Sequence, residues 1–159
     1  MTSKLKTDIL ETVSGSGTIA LTNQLSGMTT ASLPALTAAQ MPSGSVLQVI
    51  SASNTNTANG GFLLTTTSAS YTAGALSASI TPSSTSAKIM VIINTVQYRA
   101  GSSSYTVYRT TSSGSTNIGG GNNGFARLTG ANSTWLPMSI SYLDSPNTAS
   151  AVTYQLYGR

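Results

Sequence analysis

The run Ile89-Met90-Val91-Ile92-Ile93 constrains this chain more than any other stretch. Four of its five residues are β-branched; such side chains lose rotamer freedom in a helix and pack well on a pleated sheet. The run opens a period-two pattern, with Ile89, Val91, Ile93 and Thr95 to one side and Met90, Ile92, Asn94 and Val96 to the other. Polar residues enter both faces only after Ile93. The pattern therefore predicts a strand buried on both faces at its start and on one face at its end. Upstream, Thr81-Pro82-Ser83-Ser84-Thr85-Ser86 is a polar turn that no helix crosses. Leu76 to Ile80 alternate before that turn, so the spacing predicts a hairpin with Leu76–Ile80 and Lys88–Arg99 as its arms.

The same signals recur downstream. Strands are expected at Val46–Ser53, Phe62–Thr66, Ala75–Thr81, Lys88–Arg99, Tyr105–Thr110, Gly124–Leu128, Trp135–Leu143 and Ala151–Tyr157. The last alternates cleanly, Val152, Tyr154 and Leu156 against Ala151, Thr153, Gln155 and Tyr157. Asn54-Thr55-Asn56, Gly101-Ser102-Ser103, Gly119 to Gly124 and Asp144-Ser145-Pro146-Asn147 read as connecting turns. Short strands at this spacing predict a mainly β fold, an antiparallel β-sandwich of jelly-roll type. No internal repeat calls for a propeller or solenoid.

Residues 1–44 differ from this body and read as a short arm, with residues 45–159 as the head. Leu5, Ile9 and Val13 alternate with polar positions, as do Ile19 and Leu21 beyond a Ser/Gly run. Two short strands fit; so does a weak helical stripe of Leu5, Ile9 and Val13, and the extended reading is preferred. Further on, Leu33 precedes Pro34, and Pro34 and Pro42 bracket a turn or two of helix over Ala35–Met41 with Leu36 inward. Such a segment buries little by itself and needs a partner surface.

Charge and missing residue types narrow the chemistry. Charged residues make up 6% of the chain, against about 25% in ordinary soluble domains. The net charge of +4 comes from Lys4, Lys6, Lys88, Arg99, Arg109, Arg127 and Arg159 against Asp8, Glu11 and Asp144. Those cations are scattered, whereas nucleic-acid sites cluster Lys and Arg among aromatics, so no nucleic-acid partner is expected. Cys and His are absent, which removes the usual nucleophile–base pairs and the best transition-metal ligands. A glycosidase needs two carboxylates close together, and the head holds Asp144 alone, in a Leu-Asp-Ser-Pro sequence that reads as an Asx-type turn. No enzyme, metal or cofactor is expected. No apolar stretch matches a membrane span, and the opening residues lack a signal-peptide core, so synthesis in a cytoplasm without membrane insertion is expected.

Three motif matches are decoys. Gly119, Gly121 and Gly124 fit G-x-G-x-x-G, but Gly130 stops the helix a dinucleotide site requires. Ser3-Lys4-Leu5-Lys6 fits S-x-x-K without its companion motifs. Asn132-Ser133-Thr134 is a sequon without secretory context. What remains for recognition is aromatic: Trp135, Tyr105 and Tyr108, with Arg109 and Arg127 as donors. Most strand aromatics serve packing, although a Trp among Tyr can also stack on sugars.

Two stretches carry a family resemblance. Ser3-Lys4-Leu5-Lys6-Thr7-Asp8-Ile9 together with Leu33 to Val49 resembles the N-terminal portion of structural proteins of tailed bacteriophages, particularly marine ones. The body, with Leu76 to Ile80, Thr81 to Ile89 and Leu143-Asp144-Ser145-Pro146, is similar to the globular heads on such arms. The resemblance implies a virion protein, made in the host cytoplasm and exposed on the particle, commonly a homotrimer. Leu5, Ile9, Val13, Ile19, Leu21, Leu33 and Leu36 would then dock on tail, neck or capsid proteins or on sister chains. There is almost no shaft, so the resemblance implies a short tail-fibre-like appendage, with a host-surface glycan or protein as its target. A capsid decoration protein and a carbohydrate-binding module are the alternatives.

Overall fold

The computed structural model describes residues 40–42, 44–54, 64, 66–99, 101–130 and 133–159. The chain divides into two units, Met1–Pro42 and Ser43–Arg159, and every strand below belongs to the second. The arm residues Leu5, Ile9, Val13, Ile19, Leu21, Leu33 and Leu36 lie outside the described residues. The fold is mainly β and antiparallel. Its strands are β1 (Thr72–Ile80), β2 (Ile89–Arg99), β3 (Ser103–Thr111), β4 (Gly114–Asn117), β5 (Ala126–Leu128), β6 (Thr134–Asp144) and β7 (Val152–Gly158).

Two sheets share one core. The larger has five strands in the order β1-β7-β3-β4, with β5 also on β3; the smaller has β2 and β6 alone. β7 sits centrally because its alternation is the cleanest in the chain: Val152, Tyr154, Leu156 and Gly158 are buried, and the residues between them are half-buried. One side of β7 pairs with β1 and the other with β3. β3 in turn divides its far edge, pairing Ser103–Tyr105 with β5 and Tyr108–Thr111 with β4. The core is Val107, Val152, Tyr154 and Leu156 from the larger sheet against Val91, Met138 and Ile140 from the smaller. β1 carries a bulge between Ala73 and Ser77. Gly74 lies there, where a Cβ would stand 2.9 Å from the Leu156 carbonyl oxygen, closer than a side chain tolerates.

The layers join differently from the expected hairpin. β1 pairs with β7 and β2 with β6, so residues 81–88 carry the chain from one sheet to the other. Leu76 and Ile80 of β1 and Ile89 and Ile93 of β2 all pack against the same core, so the two strands contribute to it from different sheets. Period-two alternation gives a strand an inward side but does not say whether its sequence neighbour lies beside it or opposite.

Two further expectations are corrected, and one strand was not expected at all. β2 is not buried on both faces at its start: on its outer side Ile92 is 64% exposed, and Met90 is exposed with it. Val46–Ser53 forms no strand, and its apolar residues stand in solvent. β4 (Gly-Ser-Thr-Asn) had no apolar periodicity to announce it; it forms because the two-residue turn Ser112-Ser113 folds it back onto β3. Phe62–Thr66 falls largely outside the described residues.

Candidate functional site

Among the described residues, a cluster of buried charge joins the two layers. β6 ends at Asp144, which is 4% exposed. Arg109 and Tyr154 are register partners on β3 and β7, side by side on the inward face of the larger sheet. Arg109 Nη1 donates to Asp144 Oδ1 at 2.9 Å and to Oδ2 at 3.1 Å, and Tyr154 Oη donates to Oδ2 at 2.6 Å. Arg109 Nη1 also reaches the Ser145 carbonyl at 3.4 Å, and Lys88 Nζ donates to Ser145 Oγ at 3.1 Å. Burial pushes the Tyr154 phenol well above its ordinary range; the Asp144 hydrogen bond and charge act the same way, and Arg109 opposes them. The phenol thus stays protonated and keeps donating.

These contacts engage each group in the cluster, so it serves as a tie between sheets rather than as a reactive base. Asp144 is accordingly the last residue of a strand, not an Asx-type turn residue; the left-handed backbone falls later, at Asn147 with φ 54°. Arg109, read from sequence as a recognition donor, spends its guanidinium on this ion pair. Nothing local in Leu-Asp-Ser-Pro signals a partner 35 residues away.

The other sequence-derived candidates are dispersed. Tyr105 is half-buried and packs against the core. Tyr108 lies on the outer face of the larger sheet, with ring centroids 4.1 Å from Tyr157 and 6.4 Å from Tyr71. Arg159 completes that group over the Tyr71 ring at 5.1 Å. Arg127 is exposed and donates to Asn123 Oδ1 at 2.8 Å. It shares with Arg159, Ser68, Ala69, Ser102 and Ser104 an open cleft of about 230 Å³, below the usual size of a small-molecule site. The glycine run folds as the β4–β5 connection, with Gly119 and Gly124 against β3 and Gly120 and Gly121 exposed.

Trp135, expected as a recognition residue, lies on a surface that also includes Met90 and Ile92, which the sequence pattern placed in the interior. Opposite inward-facing Val91, Met138 and Ile140, the outer side of β2 and β6 carries the register pairs Met90/Leu143, Ile92/Ser141, Asn94/Ser139, Val96/Pro137 and Tyr98/Trp135. All ten are exposed. Ser139 Oγ donates to Asn94 Oδ1 at 2.8 Å in the middle, while Tyr98 and Trp135 stack with centroids 5.1 Å apart at one end. Trp135 remains 56% exposed. An exposed face with apolar residues on either side of a central polar pair is of the kind found at interaction surfaces. Alternation on both strands was visible in the sequence; that only the inner side finds a second layer was not.

Comparison with protein-family models, curated proteins and solved structures finds no match for this chain.

Proposed function

We propose that this chain is a non-enzymatic structural protein of a bacteriophage virion, a short tail-fibre-like appendage. Residues 1–44 dock it on the particle and residues 45–159 form an exposed β head, assembled as a homotrimer and poised for adsorption to a host-surface glycan or protein. The observation that carries this reading is the outer face of β2 and β6. It gives a head poor in charged residues a broad apolar contact surface including Met90, Ile92, Val96, Leu143 and Trp135, suited to assembly with protein. The Arg109–Asp144–Tyr154 tie supports it too, since the buried charge is spent on holding the sheets together. The resemblance of Ser3–Ile9, Leu33–Val49 and the body supplies the virion context.

The same face also favours a second reading, capsid decoration, because an exposed apolar sheet face suits lying against a shell as well as standing out from a tail. Gold-labelled antibody on intact particles from the source separates the two. Label at the tail or neck is expected for the appendage, label over the shell for decoration, and unlabelled particles would end both.

A further inference from the structure

Two parts of the head are bare at the same time. β2 and β6 pair only with each other among the described residues, so no described strand lies along the other edge of Ile89–Gln97 on β2 or of Leu136–Asp144 on β6. These edges are not equivalent. β6 carries Pro137 in unbroken register opposite Val96; a proline holds such a place only where its missing N–H would face away from the partner strand. The free edge of β6 is thereby interrupted. β2 has neither Pro nor charge from Ile89 to Gln97, its one charge being the terminal Arg99, so that stretch of its edge lacks the devices that normally blunt one. The two-strand layer also covers a five-strand layer incompletely: Leu76 and Ile80 on β1 and Ile89 and Ile93 on β2 are only partly buried.

The second bare part is Val46-Leu47-Gln48-Val49-Ile50-Ser51. It has a strand's composition but lies in no strand, with Val46 76% and Val49 79% exposed. Its apolar residues fall on both sides of an extended chain, Val46 and Ile50 on one, Leu47 and Val49 on the other. That matches the first half of β2, where Ile89, Val91 and Ile93 face inward and Met90 and Ile92 outward. Six residues in a strand span about 20 Å, well within the length of β2.

We propose that Val46–Ser51 of a second copy of this chain adds as a third strand to the free edge of β2, so that copies assemble by strand donation. Donation satisfies the β2 edge, extends the narrow layer over β1 and buries the segment in one step. It rests on the self-association in the reading above but not on the virion, so its failure is separable: gold labelling tests the particle, and the following experiment tests the strand.

The chain has no cysteine, so introduced thiols report unambiguously. Full-length chains carrying Val49→Cys and differently tagged chains carrying Ile92→Cys are mixed under mild oxidation. Light scattering measures the mass of the unmodified chain and of Val49→Pro. The expected result is a disulfide between the two tags, an unmodified mass that is a multiple of 16.2 kDa, and Val49→Pro at 16.2 kDa with its β-sheet spectrum retained. Because Val49 lies outside every strand, that variant leaves the head's own pairing intact. A monomeric unmodified chain would overturn the proposal, as would disulfides formed only within a Val49→Cys/Ile92→Cys double variant. An oligomer that Val49→Pro leaves unchanged would overturn strand donation while sparing self-association.

Discussion

Asp144 is the residue on which the layers depend, and its neighbours make that dependence measurable. Asp144→Asn removes the charge that Arg109 faces at 2.9 Å while the guanidinium remains largely buried. Breaking such a pair costs about 3 kcal/mol, read as a lower urea midpoint. Adding Arg109→Met is expected to restore most of the loss, because no orphaned charge then remains. Tyr154 gives a pH signature. Its pKa is raised in the folded protein from an ordinary 10.0, first by burial and then by Asp144. The unfolded chain therefore loses the phenolic proton first as pH rises. This contribution to stability is complete below pH 10 and is withdrawn above it. The unfolding midpoint should fall more steeply above pH 10 in the unmodified protein than in Tyr154→Phe, and equal slopes would contradict the assignment. None of this was legible locally. The sequence names Asp144 as the head's one carboxylate, but a buried ion pair exists only once three distant strands converge.

Among the elements, β7 and β2 were the most readable, because strict alternation and a β-branched run each leave one backbone conformation favoured. β4 was unreadable, since Gly-Ser-Thr-Asn owes its strand to the edge of β3 rather than to its own side chains. The two faces of the smaller sheet differ in ways mutation separates. Ile140→Ala, at a 3% exposed position, is expected to cost about 2–5 kcal/mol through lost burial and the cavity left behind. Ile92→Ser, on the outer face, is expected to change stability by less than about 0.5 kcal/mol. Both are measured by denaturant unfolding at concentrations low enough for a lone chain. A large loss from Ile92→Ser under those conditions would mean that its side chain is covered within the chain itself.

For the molecule as a whole, every strand among the described residues lies between Thr72 and Gly158. A chain of residues 45–159 is therefore expected to keep its β-sheet circular dichroism and unfold cooperatively, yet fail to enter particles when residues 1–44 are absent. Normal incorporation of the shortened chain would remove the arm's docking role. By itself the sequence determined that this head is antiparallel β and where its best strands run, because alternation and β-branching act over a few neighbouring residues. It also limited the available chemistry, since residue types that are absent cannot be assembled. The tertiary structure alone decided that β1 and β2 lie in different sheets rather than pair. It also joined Asp144 to Arg109 and Tyr154, and left the outer side of β2 and β6 in solvent. The physical reason is common to all three: layer partners meet through space, and a periodic pattern records that a side wants burial but not what arrives to bury it.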